Sequence, residues 1–429
     1  MSFLDRVVIT NAKTVSTTST GLGIGAGETW PGELALKLRP QIASYFGRQF
    51  TKGVILVVGT NGKTTTTLMI KKILEANGNR VVHNGTGANL LNGIVSSCIR
   101  QTDWKGNVNA DYGLFEVDEN SLPIVLKYIT PKRIVILNLF RDQLDRYGEV
   151  DVIIEKWQKV LKDLPVQTEI ILNSDDPSVA YFGKLAQGKV MYFGINNPKE
   201  YLKIAEHATD STFCPQCGAR LTYEGIYYSH IGVWHCEQCN LKRPGPDVHT
   251  FLKVLDGLYN QYNTLAAVAL AKSLGIKEEK IKIALKDFSP AFGRQEEIVV
   301  GAQKRVKLFL SKNPTGFNVS LRTALDMGAK NIFLVLNDRI PDGRDVSWIW
   351  DVDFEMLNKL DRIYVAGDRV YDLALRLQYA DLKFKTEPDL EIGIRRALDS
   401  LPKGQTLFVL ATYSAMLDVR KILTGKKIL

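Results

Sequence analysis

With 429 residues, 45% of them hydrophobic, the chain is globular by composition and long enough for two or three packed domains. Its 55 basic against 46 acidic residues give a net charge of +9, but both signs run along the whole length, which argues against a concentrated nucleic-acid-binding block. No run approaches the ~18 apolar residues of a membrane span and the start, "MSFLDRVVITNAK", has no signal-peptide core, so a cytoplasmic location is expected. The basic balance remains compatible with a generally basic surface, an anionic substrate or an acidic membrane surface.

Residues 1–50 read as a Gly-rich loop leading into a helix that packs on the next domain, with Pro31 in its first turn and Leu34, Ala35, Leu36 and Leu38 on its apolar side. From residue 53 the rhythm is strand, turn, helix. "GVILVVG" and "RIVILNLF" are continuous β-branched runs suited to strands covered on both faces. "TTTTLMIKKILEANG" and "VDVIIEKWQKVLKD" have helical spacing, and "EIILNSDD" and "KVMYFG" read as further strands. This alternation predicts a doubly wound parallel sheet over residues 51–300. It breaks at about 209–245 and resumes with two helical stretches, "GLYNQYNTLAAVALAKSLG" and "EEKIKIALKDF". Residues 301–429 form a second, Rossmann-like α/β series, with strands expected in "VKLFLSKNP", "AKNIFLVLND", "DRIYVAG", "LKFKT" and "QTLFVLATYS".

The segment "GTNGKTT", Gly59, Thr60, Asn61, Gly62, Lys63, Thr64 and Thr65, joins the first of these strands to a helix. Backbone N–H groups and a helix N-terminus arranged in this way cradle a phosphate chain. Lys63 would reach the β- and γ-phosphates and the Thr64 hydroxyl would bind Mg²⁺. The strict phosphate-loop spacing is not met, because Val57 stands where its first glycine belongs. In "YGLFEVDE", Glu116 falls at the C-terminal end of an apolar strand, where open α/β sheets bind their ligands.

Cys214, Cys217, Cys236 and Cys239 have the spacing C-x₂-C-x₁₈-C-x₂-C, which fits a zinc ribbon with a closed, structural ion. Cys98 stands alone and reads as a small buried hydrophobe, and His235 as a surface residue.

The shortened loop resembles that of the Mur ligase and folylpolyglutamate synthase superfamily, whose members use ATP to phosphorylate a carboxylate that an amine then attacks. The resemblance implies Mg²⁺ binding by Glu116, a helix near adenine carrying Asn260 and Asn263 (one of which could serve only as a cap), and Arg294 near the phosphates with Glu296 beside it. It also marks departures: Lys312 precedes Asn313 and Pro314 where relatives have His, and in "NLFRDQLDRYGE" Gln143 and Tyr147 replace two histidines, which puts a second metal ion in doubt. The ribbon insert and the C-terminal segment "DGRDVSWIWDVDFE" resemble one branch, the MurT family. That likeness implies amidation of the D-Glu α-carboxylate of the lipid II stem peptide to D-isoglutamine. It also implies a heterodimer with a GatD-type glutamine amidotransferase, peripheral contact with a membrane-held substrate, and no nucleic-acid partner. An Asp of this chain would complete the partner's triad: of Asp342, Asp345, Asp351 and Asp353, Asp351 is the first choice and Asp345 the second, although Asp351 could instead cap a helix starting near Val352. Trp348 and Trp350 read as interface anchors. Two rivals are an amino-acid ligase of the same superfamily, which needs no ammonia-supplying partner, and a zinc-ribbon ATPase acting on nucleic acid.

Overall fold

The computed structural model describes residues 3–21, 29–85, 87–142, 150–204, 206–290, 292–301 and 304–425; most of the Gly-rich loop, Gln143 and Tyr147 lie outside the described residues. Six strands, β1 (Gly53–Val58), β2 (Val81–His83), β3 (Tyr112–Val117), β4 (Arg133–Ile136), β5 (Glu169–Asn173) and β6 (Val190–Phe193), form a parallel sheet in the order β2-β3-β1-β4-β5-β6. Alternate residues of one strand enter different cores. Val54, Leu56 and Val58 of β1 pack with the helices Trp30–Leu38, Leu91–Gln101 and Val150–Lys162, whereas Ile55 and Val57 pack with Lys63–Ala76 and Leu258–Ser273. Two buried faces remove any pressure for polar alternation, which is why β1 reads as an unbroken apolar run.

An N-terminal helix, Phe3–Gly21, precedes the expected Trp30–Leu38 helix and packs on it, through Val8, Ile9 and Ala12. The sequence reading did not anticipate it, since its Thr- and Val-rich stretch has a weak helical signal.

A second sheet has the order β13-β12-β11-β14-β10-β9, built from β9 (Arg294–Val300), β10 (Lys304–Leu310), β11 (Asn331–Val335), β12 (Arg362–Ala366), β13 (Lys385–Thr386) and β14 (Thr406–Ala411). It is parallel except for β9, which pairs antiparallel with β10. The expected boundary at 300/301 therefore cuts a strand pair, and the second sheet begins at Arg294. Between the two sheets in sequence lies the hairpin of β7 (Thr222–Tyr228) and β8 (Ile231–His235), which carries the cysteine turns at its base. Among the described residues no helix is long and apolar enough to cross a membrane.

Candidate active site and cysteine ribbon

At the C-terminal end of β1 the chain turns through Gly59 (φ +138°) and Gly62 (φ +91°) before Lys63 opens its helix. A Cβ on Gly62 would lie 2.1 Å from Asn263 Oδ1, so both backbone angle and space demand glycine there. The Thr run at the helix start has polar work to do. Thr64 Oγ1 donates to Glu116 Oε2 at 2.7 Å, and Thr66 Oγ1 donates to Asn263 Oδ1 at 3.4 Å. Asn138, just past β4, clamps the loop from the other side, accepting from the Asn61 N–H at 2.8 Å and donating to its carbonyl at 3.1 Å.

Lys63 Nζ donates to the carbonyls of Gly59 (2.5 Å) and Thr60 (3.2 Å) and to Glu119 Oε2 (3.1 Å). Burial alone would raise the Glu119 carboxyl, but the ammonium groups of Lys63 and Lys312 hold it below its ordinary value. Lys312 also pairs with Asp142. Burial works against the Lys312 charge, yet Asp142 and Glu119 outweigh it and raise its pKa, while burial raises Asp142. One Asp142 oxygen, Oδ1, is buried with no hydrogen-bond partner among the described residues. The floor of the site is thus an alternating chain of charges in which each ammonium touches a carboxylate.

Lys63, Thr64, Glu116, Asn138 and Lys312 line a cavity of about 520 Å³ between the two sheets, which also receives Thr65, Asn263, Arg294 and Tyr228, while Glu119 and Asp142 pair with its lysines from outside the lining. Asn260 does not reach it. It lies below, donating to the Asp256 carbonyl at 2.7 Å and accepting from Asn263 Nδ2 at 3.1 Å, so it orients Asn263. Arg294 enters from β9 of the second sheet; burial lowers its pKa, and among the described residues its guanidinium has no hydrogen bond or ion pair. Glu296 turns away from the site to Arg420 (2.9 Å) and the Gly293 N–H (2.9 Å). Asn313 caps the helix Pro314–Asp326 through the Gly316 N–H at 2.7 Å and shares an amide pair with Asn61, at 3.2 and 3.4 Å, which ties the second domain to the phosphate loop.

The donors suit a magnesium nucleotide. Backbone N–H groups of the loop, Lys63 and Arg294 offer positive ends to phosphates, and Thr64 and Glu116 bring two oxygens to one point beside them.

The four ribbon sulfurs all lie within 4.8 Å of one another, with Cys214–Cys239 at 3.6 Å and Cys217–Cys236 at 3.5 Å. Tetrahedral thiolates on zinc stand ~3.8 Å apart, so the set fits one closed ion. Each second cysteine is followed by a left-handed residue, Gly218 (φ +76°) and Asn240 (φ +58°), whose N–H returns to the carbonyl of the first at 2.9 and 3.0 Å. Cys98 is buried apart from the ribbon, and burial raises its thiol pKa.

The four acids of the C-terminal segment divide by role. Asp342 is buried and accepts from the Ser414 N–H at 2.8 Å, and Asp345 accepts from the Ser347 N–H at 2.8 Å. Asp353 pairs with His207 and accepts from Asn318 Nδ2 at 2.9 Å. Asp351 ends the 3₁₀ turn Ser347–Asp351 and caps nothing, because the next turn starts at Phe354. Its half-exposed carboxylate contacts Arg141 at 3.0 Å, and Arg141 also holds Asp210 at 2.5 Å. The two tryptophans separate as well. Trp348 packs inward on Phe317, so it is no surface anchor, whereas Trp350 is 46% exposed and meets Tyr379 edge-on at 5.3 Å.

Residues 57–271 match the family model of the Mur ligase middle domain, and residues 310–416 match that of the MurT ligase C-terminal domain. The chain is 35% identical over 407 residues to the lipid II isoglutaminyl synthase (glutamine-hydrolyzing) subunit MurT of Staphylococcus aureus (strain COL), covering 89% of this chain and 90% of that protein. The corresponding MurT subunit of Streptococcus pneumoniae (strain ATCC BAA-255 / R6) is 33% identical over 430 residues, covering 94% of each. The chain belongs to the MurT family. Its fold is also similar to that of a pseudomurein peptide ligase type C from Methanothermus fervidus, with a TM-score of 0.68 and 24% identity over 89% of this chain and 80% of that one.

Within this MurT-family chain, sequence reasoning missed Asn138, Glu119, Arg141 and Tyr228. Glu119 had a signal, lying three residues past Glu116 in the same strand-end loop. Asn138 and Arg141 lie in the segment "NLFRDQLDRYGE", where attention fell on Gln143 and Tyr147, and Tyr228 lies between the two cysteine pairs; only the tertiary fold shows what the three side chains touch.

Proposed function

We propose that this chain is the ATP-dependent subunit of a lipid II isoglutaminyl synthase, amidating the α-carboxylate of D-Glu in the lipid II stem peptide with ammonia from a GatD-type glutaminase partner. A carboxylate oxygen of the substrate attacks the γ-phosphorus of ATP, and ADP leaves. Ammonia then attacks the acyl carbon, and phosphate leaves. Lys63 and Arg294 neutralise charge on the transferring phosphoryl group, and Asn263, steadied by Asn260, positions the nucleotide. Thr64 and Glu116 would hold Mg²⁺, which supplies further positive charge at the phosphates when bound. The cysteine ribbon holds structural zinc.

For the partner, the reading assigns the face around Asp351. Trp350, Tyr371, Leu375 and Tyr379 are 46%, 70%, 49% and 73% exposed, and the last three lie four residues apart on the helix Val370–Tyr379. An apolar stripe beside a half-exposed carboxylate suits a subunit that docks by its surface and borrows that carboxylate to orient a catalytic His.

The observation that supports this reading most is near-full-length kinship to MurT subunits together with a site in which phosphate loop, Glu116 and Arg294 face one cavity. The test is co-expression with a glutaminase subunit, followed by incubation with lipid II, ATP and glutamine. Amidated lipid II is expected by mass spectrometry, and ATP turnover without that product would reject the assignment.

A further inference from the structure

The tip of the ribbon hairpin is Ser229–His230, two polar residues that are completely buried. Ser229 is left-handed (φ +48°), as a tight turn requires, and its N–H donates to Glu206. A hairpin that served as a lid or a free docking surface would keep such a tip in water. Here it is driven into the central domain like a wedge. Gly232 N donates to the Asp175 carbonyl at 2.9 Å and Trp234 Nε1 to the Ser174 carbonyl at 3.1 Å. Arg243, just past the ribbon, donates to Asp175 Oδ1 at 2.7 Å, and Tyr262 of the Asn263 helix donates to Asp175 Oδ2 at 2.6 Å. His230 packs at a tilt on Phe140, with ring centroids 5.0 Å apart, and sits 3.4 Å from Asp176, which in turn accepts from the Leu139 N–H at 2.9 Å.

The residue before the tip, Tyr228, is 3% exposed, and it lines the cavity together with Phe140, Thr60 and Asn263. Its ring lies 6.0 Å from Phe140 and 5.6 Å, edge-on, from Tyr262. Burial raises its pKa, so the phenol stays a donor, and among the described residues its hydroxyl has no hydrogen-bond partner. The neighbouring Tyr227 contrasts with it, donating to the Ile195 carbonyl at 2.6 Å away from the cavity. The Tyr228 hydroxyl opens onto the cavity, where water can meet it, and a bound ligand can take its hydrogen bond in place of that water.

At the hairpin's other end, Trp234 and Leu221 pack with Cys214, Cys236 and Leu241 in a small core against Ala180. A two-stranded hairpin is marginal by itself, and the ion that closes the four thiolates is what fixes its base.

We propose that the zinc ribbon is a working wall of the nucleotide site: zinc fixes the hairpin base, and the buried tip presents the Tyr228 hydroxyl as a hydrogen-bond donor to the bound purine nucleoside triphosphate. The proposal rests on the reading of the cavity as an ATP site. The test measures ATP·Mg binding by calorimetry on the full zinc-loaded protein, with zinc content and melting temperature as folding controls. Tyr228→Phe should weaken ATP about tenfold, the loss of one hydrogen bond, with zinc content unchanged. Tyr227→Phe should leave affinity as it was. Removing zinc with a chelator should weaken ATP at least as much while the far-ultraviolet helix signal of the central domain persists. Unchanged affinity in Tyr228→Phe, full affinity in the zinc-free protein, or collapse of the helix signal along with binding would each overturn this inference alone. Failure of the unmodified protein to bind ATP would overturn the proposed function with it.

Discussion

The phosphate-loop cavity and the Asp351 face are both rich in charge, and they treat it in opposite ways. At the cavity Lys63 and Lys312 are interlocked with Glu119 and Asp142 behind them, and the four groups are largely withdrawn from water. On the Asp351 face one carboxylate touches one arginine, and the surrounding aromatics stand in solvent. Interlocked charge in a low-dielectric pocket is pre-organised for chemistry, since it need not rearrange when phosphate charge develops. A lightly held charge on an apolar surface is suited to capture by another protein, because little must be broken to recruit it.

Substitutions can break this contrast one side at a time. The largest effect is expected from Lys63→Ala, which removes the ammonium facing the phosphates and should lower ligase turnover by about a hundredfold or more while leaving partner binding intact in a pull-down. Asp351→Asn comes next: glutamine-dependent amidation should fall on the order of a hundredfold, yet free ammonium should still support product formation. Loss of both activities would remove Asp351 from the partner's triad.

Lys312→Ala tests whether the cavity charges are truly interlocked. It strands Asp142 and should cost about 2–3 kcal/mol in urea unfolding, whereas the double variant Lys312→Met/Asp142→Leu should recover most of that loss. Tyr379→Ser should leave stability within about 0.5 kcal/mol and weaken binding of the glutaminase subunit by about 1–2 kcal/mol, read by calorimetry. The smallest effect is expected on the pH axis. Glu119 titrates below its ordinary value of 4.5 in the folded protein, so its ion-pair contribution is complete above pH 4.5 and disappears as pH falls through the lower folded value. Glu119→Gln should flatten that acid limb of the stability curve and leave the neutral region level.

Legibility in the sequence followed the locality of the interaction. β1, β4 and β14 were readable because strands buried on both faces need nothing but apolar residues. β9, "RQEEIVV", was not, since an antiparallel edge strand half in water carries charge on its outer side. The phosphate loop and the cysteine turns were equally plain, because their function is carried by residues adjacent in sequence. Asn260 was placed one layer too close to the ligand, and Trp348 one layer too close to solvent. Both errors concern which way a side chain faces, which depends on neighbours far along the chain. Nothing local could have shown that Tyr228 joins Asn263 at one cavity.

Arg141 and Asp142 are consecutive residues, and they face the two opposed regions. The first holds Asp351, and the second holds Lys312 beneath the cavity. A glutaminase that draws Asp351 into its own hydrogen bonds competes with Arg141 for that carboxylate. Release of Arg141 leaves it on Asp210 alone, one peptide unit from the Asp142 carboxylate that holds Lys312 at the cavity. Under the proposed function, generating ammonia and activating its acceptor would be separate reactions in separate subunits with adjoining handles on a single stretch of backbone.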